Sequence, residues 1–219
     1  MAEEIEIKLK ISHPQALKRT LRRLGARSVV AGSGRVHEWN VIFDTPQGGL
    51  AKNGQLLRIR TGTPEASSKR TKAAARQRVL LTFKRPLDSS GTAASGSAQE
   101  NHRHKVREEL ELEVADADML AKIFEGLGMR GWFRYEKYRS TFRLPAARRW
   151  ANGLLIELDE TPIGLFVELE GPGPAIDRAA QELGYSSRDY IVKNYLALYV
   201  EDCRRKGKEP KDMLFGAAR

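Results

Sequence analysis

The sequence predicts an α+β fold in which eight strands close into a barrel accompanied by helices. Three observations carry that reading. Eight segments, near 4–11, 36–43, 55–61, 78–84, 104–114, 133–143, 152–159 and 164–170, are β-rich or alternate polar with apolar residues. Four further segments have helical spacing with start or stop signals. The polar faces of the strands are sorted by sign of charge, which an ordinary solvated face has no reason to be.

The first strand runs Glu4-Ile5-Glu6-Ile7-Lys8-Leu9-Lys10-Ile11. Residues two apart on a strand share a face, so Glu4, Glu6, Lys8 and Lys10 oppose Ile5, Ile7, Leu9 and Ile11. Ser12-His13-Pro14-Gln15 has the form of a capping box, with Ser12 as N-cap, opening a helix to Leu24 that Gly25 stops. In 55–61, Arg58 and Arg60 oppose Leu57 and Ile59. In 78–84 the polar face carries Thr82 and Lys84. In 104–114, Lys105, Arg107, Glu109 and Glu111 oppose Leu110, Leu112 and Val114. A second helix is expected after Asp116 or Asp118, ending at Gly126 to Gly128. The strand 133–143 presents Lys137 and Arg139, 152–159 presents Glu157 and Asp159, and 164–170 presents Glu168 and Glu170. Pro174 opens a third helix to Leu183, closed by Gly184. Ser187 is expected to cap a fourth, Arg188 to about Lys206, with Tyr190, Ile191, Tyr195, Leu198 and Tyr199 at helical spacing.

Residues 62–77 read as a basic hairpin connection. Residues 86–101 are small, polar and of low complexity, a composition that predicts a mobile loop whose removal leaves stability unchanged. The tail from about 207 lacks periodicity and is expected to be partly disordered. This organisation gives a single domain over 1–200 and a charged tail over 201–219.

An open sheet with a solvated charged face and helices on its apolar face also fits the alternation. It does not explain the same-sign pairs Arg58/Arg60, Lys137/Arg139, Glu157/Asp159 and Glu168/Glu170, because like charges held together repel. A closed barrel with the charged face inward gives them a use. Carboxylates are hard ligands suited to Mg²⁺ or Mn²⁺, and Lys and Arg grip phosphate. Together they describe metal-assisted phosphoryl transfer. An eight-stranded barrel can just hold one small ligand, and so many charges require a wet, ion-filled lumen.

The 219 residues carry a formal net charge of +10, with a pI near 9.8, which raises nucleic-acid or polyanion binding as a class. Much of the excess lies in two runs, 69–78 and 204–211, that read as solvated loops. Cys203 is the single cysteine, so a disulfide framework and a cysteine-based zinc site are excluded and a reducing, cytoplasmic setting is expected. The chain opens directly into a strand with no leader pattern, and no apolar stretch is long enough to span a bilayer.

With these residues in place, the chain resembles the CYTH superfamily, the triphosphate tunnel metalloenzymes. The family's Glu-x-Glu-x-Lys stands as Glu4-Ile5-Glu6-Ile7-Lys8, and its Phe-Asp-Thr-Pro turn as Phe43-Asp44-Thr45-Pro46. These are followed by Arg58-Ile59-Arg60, Thr82-Phe83-Lys84, Arg107-Glu108-Glu109, Lys137-Tyr138-Arg139, Glu157-Leu158-Asp159 and Glu168-Leu169-Glu170. The match runs in order over roughly 4–200. It implies an eight-stranded antiparallel tunnel with helices outside, binding a triphosphate with Mg²⁺ or Mn²⁺. By position it implies Glu4, Glu6 and Glu170 as metal ligands with Glu168 nearby. Glu109, Glu111, Glu157 and Asp159 would hold a second metal or orient water. Lys8, Arg58, Arg60, Lys84, Arg107, Lys137 and Arg139 would bind phosphates.

Three activities fit this set. A triphosphatase would hydrolyse the terminal phosphate of inorganic triphosphate, a nucleoside triphosphate or thiamine triphosphate. A class IV-type adenylyl cyclase would convert ATP to cyclic AMP and pyrophosphate. A non-catalytic polyphosphate or nucleic-acid binder would explain the basic charge but has no use for converging acids. The expected partner is a small triphosphate, with neither nucleic acid nor membrane, and a homodimer stays open. His13, His37, His102 and His104 show no metal-ligand spacing. Trp39, Trp132, Phe133 and Tyr135 are expected in core packing, with adenine stacking the alternative, and the Tyr190, Tyr195 and Tyr199 helix is expected to pack on the barrel or to close one tunnel end.

Overall fold

The computed structural model describes residues 2–31, 33–65, 76–87 and 103–216. Nine strands form one sheet: β1 (Ala2–Lys10), β2 (Arg27–Ser28), β3 (Val36–Asp44), β4 (Leu56–Pro64), β5 (Arg78–Arg85), β6 (Lys105–Val114), β7 (Arg130–Arg143), β8 (Leu155–Thr161) and β9 (Gly164–Glu170). The order is β2-β7-β3-β4-β5-β6-β1-β9-β8, and β7 also pairs with β8. That last pairing closes eight strands into a ring, with β2 as a short extra ribbon on β7 at Arg27↔Arg143. Every pairing is antiparallel. Eight strands and closure follow the sequence reading. The two-residue β2 is too short to show an alternation. Most of 86–101 and of 62–77 lies outside the described residues.

Because the ring is closed, each strand has an inner and an outer face, and the apolar residues point out. Ile7, Leu9, Ile156, Leu158, Val167 and Leu169 form an outer patch covered by α1 (Pro14–Leu24) and α4 (Gly173–Glu182). Leu17 and Leu21 of α1, one helical turn apart, meet Ile176, Ala179 and Ala180 of α4 in that cluster. On another side Phe43, Leu57, Ile59 and Val79 are covered by α3 (Ala117–Gly126) through Phe124. Burying one such side chain contributes roughly 1.5–3 kcal/mol, so these patches hold the helices on the wall.

The helix starts show where local signals succeed and fail. α3 is capped by Asp116, whose carboxylate accepts from the Asp118 and Met119 N–H groups at 2.9 Å. α1 does not begin on Ser12. Its N-cap is His13, with no side-chain cap bond, because Pro14 has the φ and the missing N–H that suit the first helical position. Gly25 ends it at φ 75°, the left-handed conformation that glycine adopts freely. A single-turn α2 (Gly49–Lys52) follows β3. There Asp44 accepts from the N–H groups of Thr45, Leu50 and Ala51 at 2.7–2.9 Å, so the Phe43-Asp44-Thr45-Pro46 turn is a folded cap.

The expected fourth helix is shorter at its start. Ser187–Asp189 is an isolated 3-10 turn, and Ile191 instead exchanges both backbone hydrogen bonds with Lys8 at 2.9 Å. The helix α5 (Tyr195–Arg205) begins only after Asn194, whose side chain accepts from Ala197 N–H. The tail expected to lack order is held as far as Gly216. Met213 is fully buried, and its N–H donates to Arg134 O at 2.9 Å while Glu136 N–H donates to Met213 O at 3.1 Å. It fits there because β7 pairs with β8 only from Tyr138 onward, leaving an edge of β7 open to a further chain segment. Among the described residues no helix is long and apolar enough to cross a membrane.

Candidate functional site

The inner face of the ring carries the charges. Part of the interior is filled by an apolar cluster of Ile42, Phe133 and Phe166, into which Tyr195 of α5 and Met213 of the tail insert. The remainder is a cavity of about 220 Å³. Its lining includes the carboxylates Glu4, Glu6, Glu109, Glu111, Glu157, Glu168 and Glu170 and the cations Lys8, Arg58, Arg60, Lys84, Lys105, Arg107, Lys137 and Arg139. Fourteen of the fifteen site residues expected from the sequence therefore share one cavity. The exception is Asp159, which also faces in but is fully buried beneath Lys137, Arg139 and Tyr195.

Register explains how distant segments converge. Glu4 stands opposite Arg107 and Glu6 opposite Lys105 on β6, while Glu6 and Lys8 stand opposite Glu170 and Glu168 on β9. Glu157 faces Glu168, and Arg139 faces Asp159. On the far side Arg58 faces Thr82, and Lys84 faces Leu56 on β4 and Glu109 on β6. Each strand thus contributes inward residues at every second position, and a one-residue slip would turn every charge outward.

The charges are interlocked. Lys8 Nζ lies 3.2 Å from both Glu6 and Glu168, and Lys105 also pairs with Glu6. Lys84 Nζ bonds Glu4 at 2.6 Å and approaches Glu109 at 3.2 Å. Arg139 is shared among Glu157, Asp159 and Glu168. Behind it, Lys137 Nζ and the Tyr195 hydroxyl both donate to Asp159 Oδ2 at 2.7 Å. Arg58 donates to Tyr135 Oη at 3.0 Å and to Thr82 Oγ1 at 3.2 Å, and Thr82 passes a bond to Glu111 at 3.0 Å.

Burial and neighbours set the protonation. Burial opposes the charge on Glu6 and Glu168, but Lys8 above all keeps both below the ordinary carboxylate range. Glu157 is pushed up to about 7, because burial outweighs its share of Arg139 and the Glu168 and Asp159 charges add to it. Glu170 is pushed up to about 8 by burial and by the Glu157 and Glu4 charges. Lys105 is pulled down to about 8 by burial and by Lys8.

The donor set fits a hard divalent cation in two respects. Glu170 and Glu157 hold their negative charge with difficulty, and one oxygen of the buried Glu4, Oε2, has no hydrogen-bond partner. In addition, the eight cations nearly balance the seven carboxylates of the lining, so a highly charged anion would enter favourably with a positive companion. As the side chains stand, no three acidic, histidine or cysteine side chains among the described residues are grouped for one ion, since each carboxylate is drawn to a Lys or Arg. Glu4, Glu6 and Glu170 are the residues that would hold one, with Glu168 nearby and ligand oxygens completing the set.

Several interior residues escape the sequence reading. Lys105 lay on the charged face of its strand but was left out of the site. Glu38 alternates with His37 and Trp39 and faces in, 3.5 Å from Arg60 and 3.6 Å from Lys137; it lacked a like-charged neighbour to mark it. Tyr195, on the helix expected to pack on the barrel or close a tunnel end, lines the cavity, with the Lys137 and Lys8 ammonium groups 5.0 and 5.4 Å from its ring centre. Of the strand aromatics, Phe133 packs in the interior cluster, Tyr135 lines the cavity and Trp132 is exposed.

Solved structures share this architecture. The PH1819 protein of Pyrococcus horikoshii is 21% identical, with a TM-score of 0.64 over 91% of this chain and 99% of its own. An X-ray structure from Vibrio parahaemolyticus, named as an adenylate cyclase candidate, is 16% identical, with a TM-score of 0.62 over 88% and 94%. HpAC1 from Hippeastrum, named as a candidate adenylyl cyclase with a dominant triphosphatase activity, is 22% identical, with a TM-score of 0.51 over 94% and 97%. No curated protein matches the chain significantly. The CYTH domain model matches residues 2–195, nearly the whole of the ring and its inner charges, and the chain belongs to the CYTH family.

Proposed function

We propose that this protein binds a triphosphate within the barrel and hydrolyses its terminal phosphate with Mg²⁺ or Mn²⁺. One observation carries the reading: eight cations and seven carboxylates line one cavity of about 220 Å³. The cations suit a chain of phosphates, and the acids suit the ion that must accompany it.

Within this reading Arg58, Arg60, Lys84, Arg107, Lys137 and Arg139 grip phosphate oxygens by charge-assisted hydrogen bonds. They hold the transferring group where its charge is neutralised. A divalent ion, when bound, would supply further charge neutralisation and an acidified water. Glu157, raised to about 7, is placed to accept a proton from an attacking water near neutral pH. Tyr195 and Lys137 hold Asp159, and Asp159 in turn fixes Arg139 in the wall.

The test offers inorganic triphosphate, ATP and thiamine triphosphate in parallel with Mg²⁺ or Mn²⁺, resolving orthophosphate, cyclic AMP and pyrophosphate. Orthophosphate without cyclic AMP is the expected result. Cyclic AMP with pyrophosphate would make the protein a cyclase, and salt-sensitive binding without any turnover would make it a polyphosphate binder.

A further inference from the structure

Asn40 stands in the middle of β3, facing inward between Arg60 on β4 and Tyr135 on β7, its direct cross-strand neighbours. Both of those residues line the cavity. Asn40 is fully buried, and neither its Oδ1 nor its Nδ2 has a hydrogen-bond partner. A buried amide left in that state costs on the order of 1–3 kcal/mol. The groups around it are unsatisfied in the same sense: Arg58 Nε and Arg60 Nε are also buried without a partner. Tyr135 Oη accepts from Arg58 at 3.0 Å, and no acceptor among the described residues takes its own proton.

Four donors on neighbouring positions of β3, β4 and β7 therefore wait for an acceptor. Resting on the triphosphate reading above, we infer that Asn40 and Tyr135, with Arg58 and Arg60, form a seat for the terminal phosphoryl group. The amide distinguishes this seat from a simple cationic patch. All four donors suit unprotonated oxygens, and the Asn40 Nδ2 adds a donor without adding charge. A terminal phosphate of a linear chain presents three non-bridging oxygens, against two on an internal one, so it offers the most acceptors to this set of donors. The tyrosine is tuned in the same sense. Burial would raise its pKa, but Arg58, Lys137 and Arg60 outweigh burial and leave it below the ordinary phenol value, which makes it a stronger donor.

The experiment is calorimetric binding of inorganic triphosphate, in chelator so that turnover is absent, to wild type, Asn40→Leu and Tyr135→Phe. Cyclic trimetaphosphate, which has no terminal phosphoryl group, is the second probe, and melting of the unliganded proteins is measured alongside. Each substitution is expected to weaken linear triphosphate about tenfold while leaving trimetaphosphate unchanged. Unliganded Asn40→Leu is expected to melt no lower than wild type, because it removes an unsatisfied amide. Unchanged triphosphate affinity in both variants overturns the seat, as does a lowered melting point with unchanged affinity, which would mark a water-bridged structural amide. Equal losses for both probes overturn its terminal selectivity. Wild type failing to bind triphosphate both in chelator and with Mg²⁺ added would instead overturn the functional reading on which the seat rests.

Discussion

Arg139 and Asp159 face each other across the β7–β8 pairing and join by two parallel hydrogen bonds of 2.7 Å, Nε to Oδ1 and Nη2 to Oδ2. This fork lies on the pairing that closes the ring, and Asp159 also holds Lys137 and Tyr195. Removing the acid takes the nearest carboxylate from Lys137, one of three from Arg139, and the charged acceptor from the Tyr195 hydroxyl. Asp159→Asn is therefore expected to lower unfolding stability by roughly 3–5 kcal/mol, read by urea denaturation. A change below about 1 kcal/mol would show that the fork is not what fastens the ring.

Glu4 and Glu6 are assigned to the metal because they combine hard oxygens with a position among the acids of β8 and β9. Glu4→Gln is expected to reduce metal-dependent turnover at least a hundredfold while the far-UV spectrum is kept. Full turnover in that variant would remove Glu4 from the metal set.

Arg58 is buried and reaches both Tyr135 and Thr82, so it is already aimed along the inner wall. Loss of a hydrogen bond to a charged group costs roughly 1.5–3 kcal/mol. Arg58→Ala should thus weaken triphosphate binding about ten- to a hundredfold, measured by titration calorimetry. Unchanged KM and kcat would count against a ligand seated in the barrel.

Glu38 gives the pH dependence of the unliganded fold. Burial would raise its pKa, but Arg60, Lys137 and Arg139 hold it at about 2, against an ordinary value of 4.5. A carboxylate with a depressed folded pKa adds stability that is present above about pH 4.5 and is lost as pH falls toward 2. The contribution is about 3 kcal/mol. Glu38→Gln should consequently flatten the fall in stability between pH 5 and 2, measured by denaturation at each pH. A wild-type slope retained in the variant would place the acid sensitivity elsewhere.

Met213 ties the segment after α5 into the interior cluster. Met213→Ala is expected to cost about 2–5 kcal/mol, and a smaller loss would mean that the tail merely rests on β7.

The strands were legible because period-two alternation is local and because same-sign pairs such as Arg58/Arg60 advertise an inward face. The fourteen residues gathered in the cavity follow from that one rule. What alternation cannot carry is depth. Asp159 faces in like Glu157, yet it is sealed from the cavity because Lys137, Arg139 and Tyr195 converge on it. Tyr195 could not be placed inside from its helix alone, because helical spacing shows that a face is apolar without showing what it meets. Asn40, neutral and alone, gave no charge pattern at all. Which strands pair is likewise non-local, and nothing in β1 itself says that it sits between β6 and β9.

That placement has a consequence for how the molecule is made. β1 is complete by Lys10, but its two partners are β6, which starts at Lys105, and β9, which ends at Glu170. A ribosome adding about 5–20 residues per second needs roughly 8–30 s to travel from β1 to the end of β9. During that interval a strand bearing Glu4, Glu6 and Lys8 waits with at least one edge bare. Its charges suit the wait: a charged residue at every second position of a nascent edge strand discourages sheet pairing between neighbouring chains. The residues assigned here to metal and phosphate would then serve first as guardians of the unfinished chain.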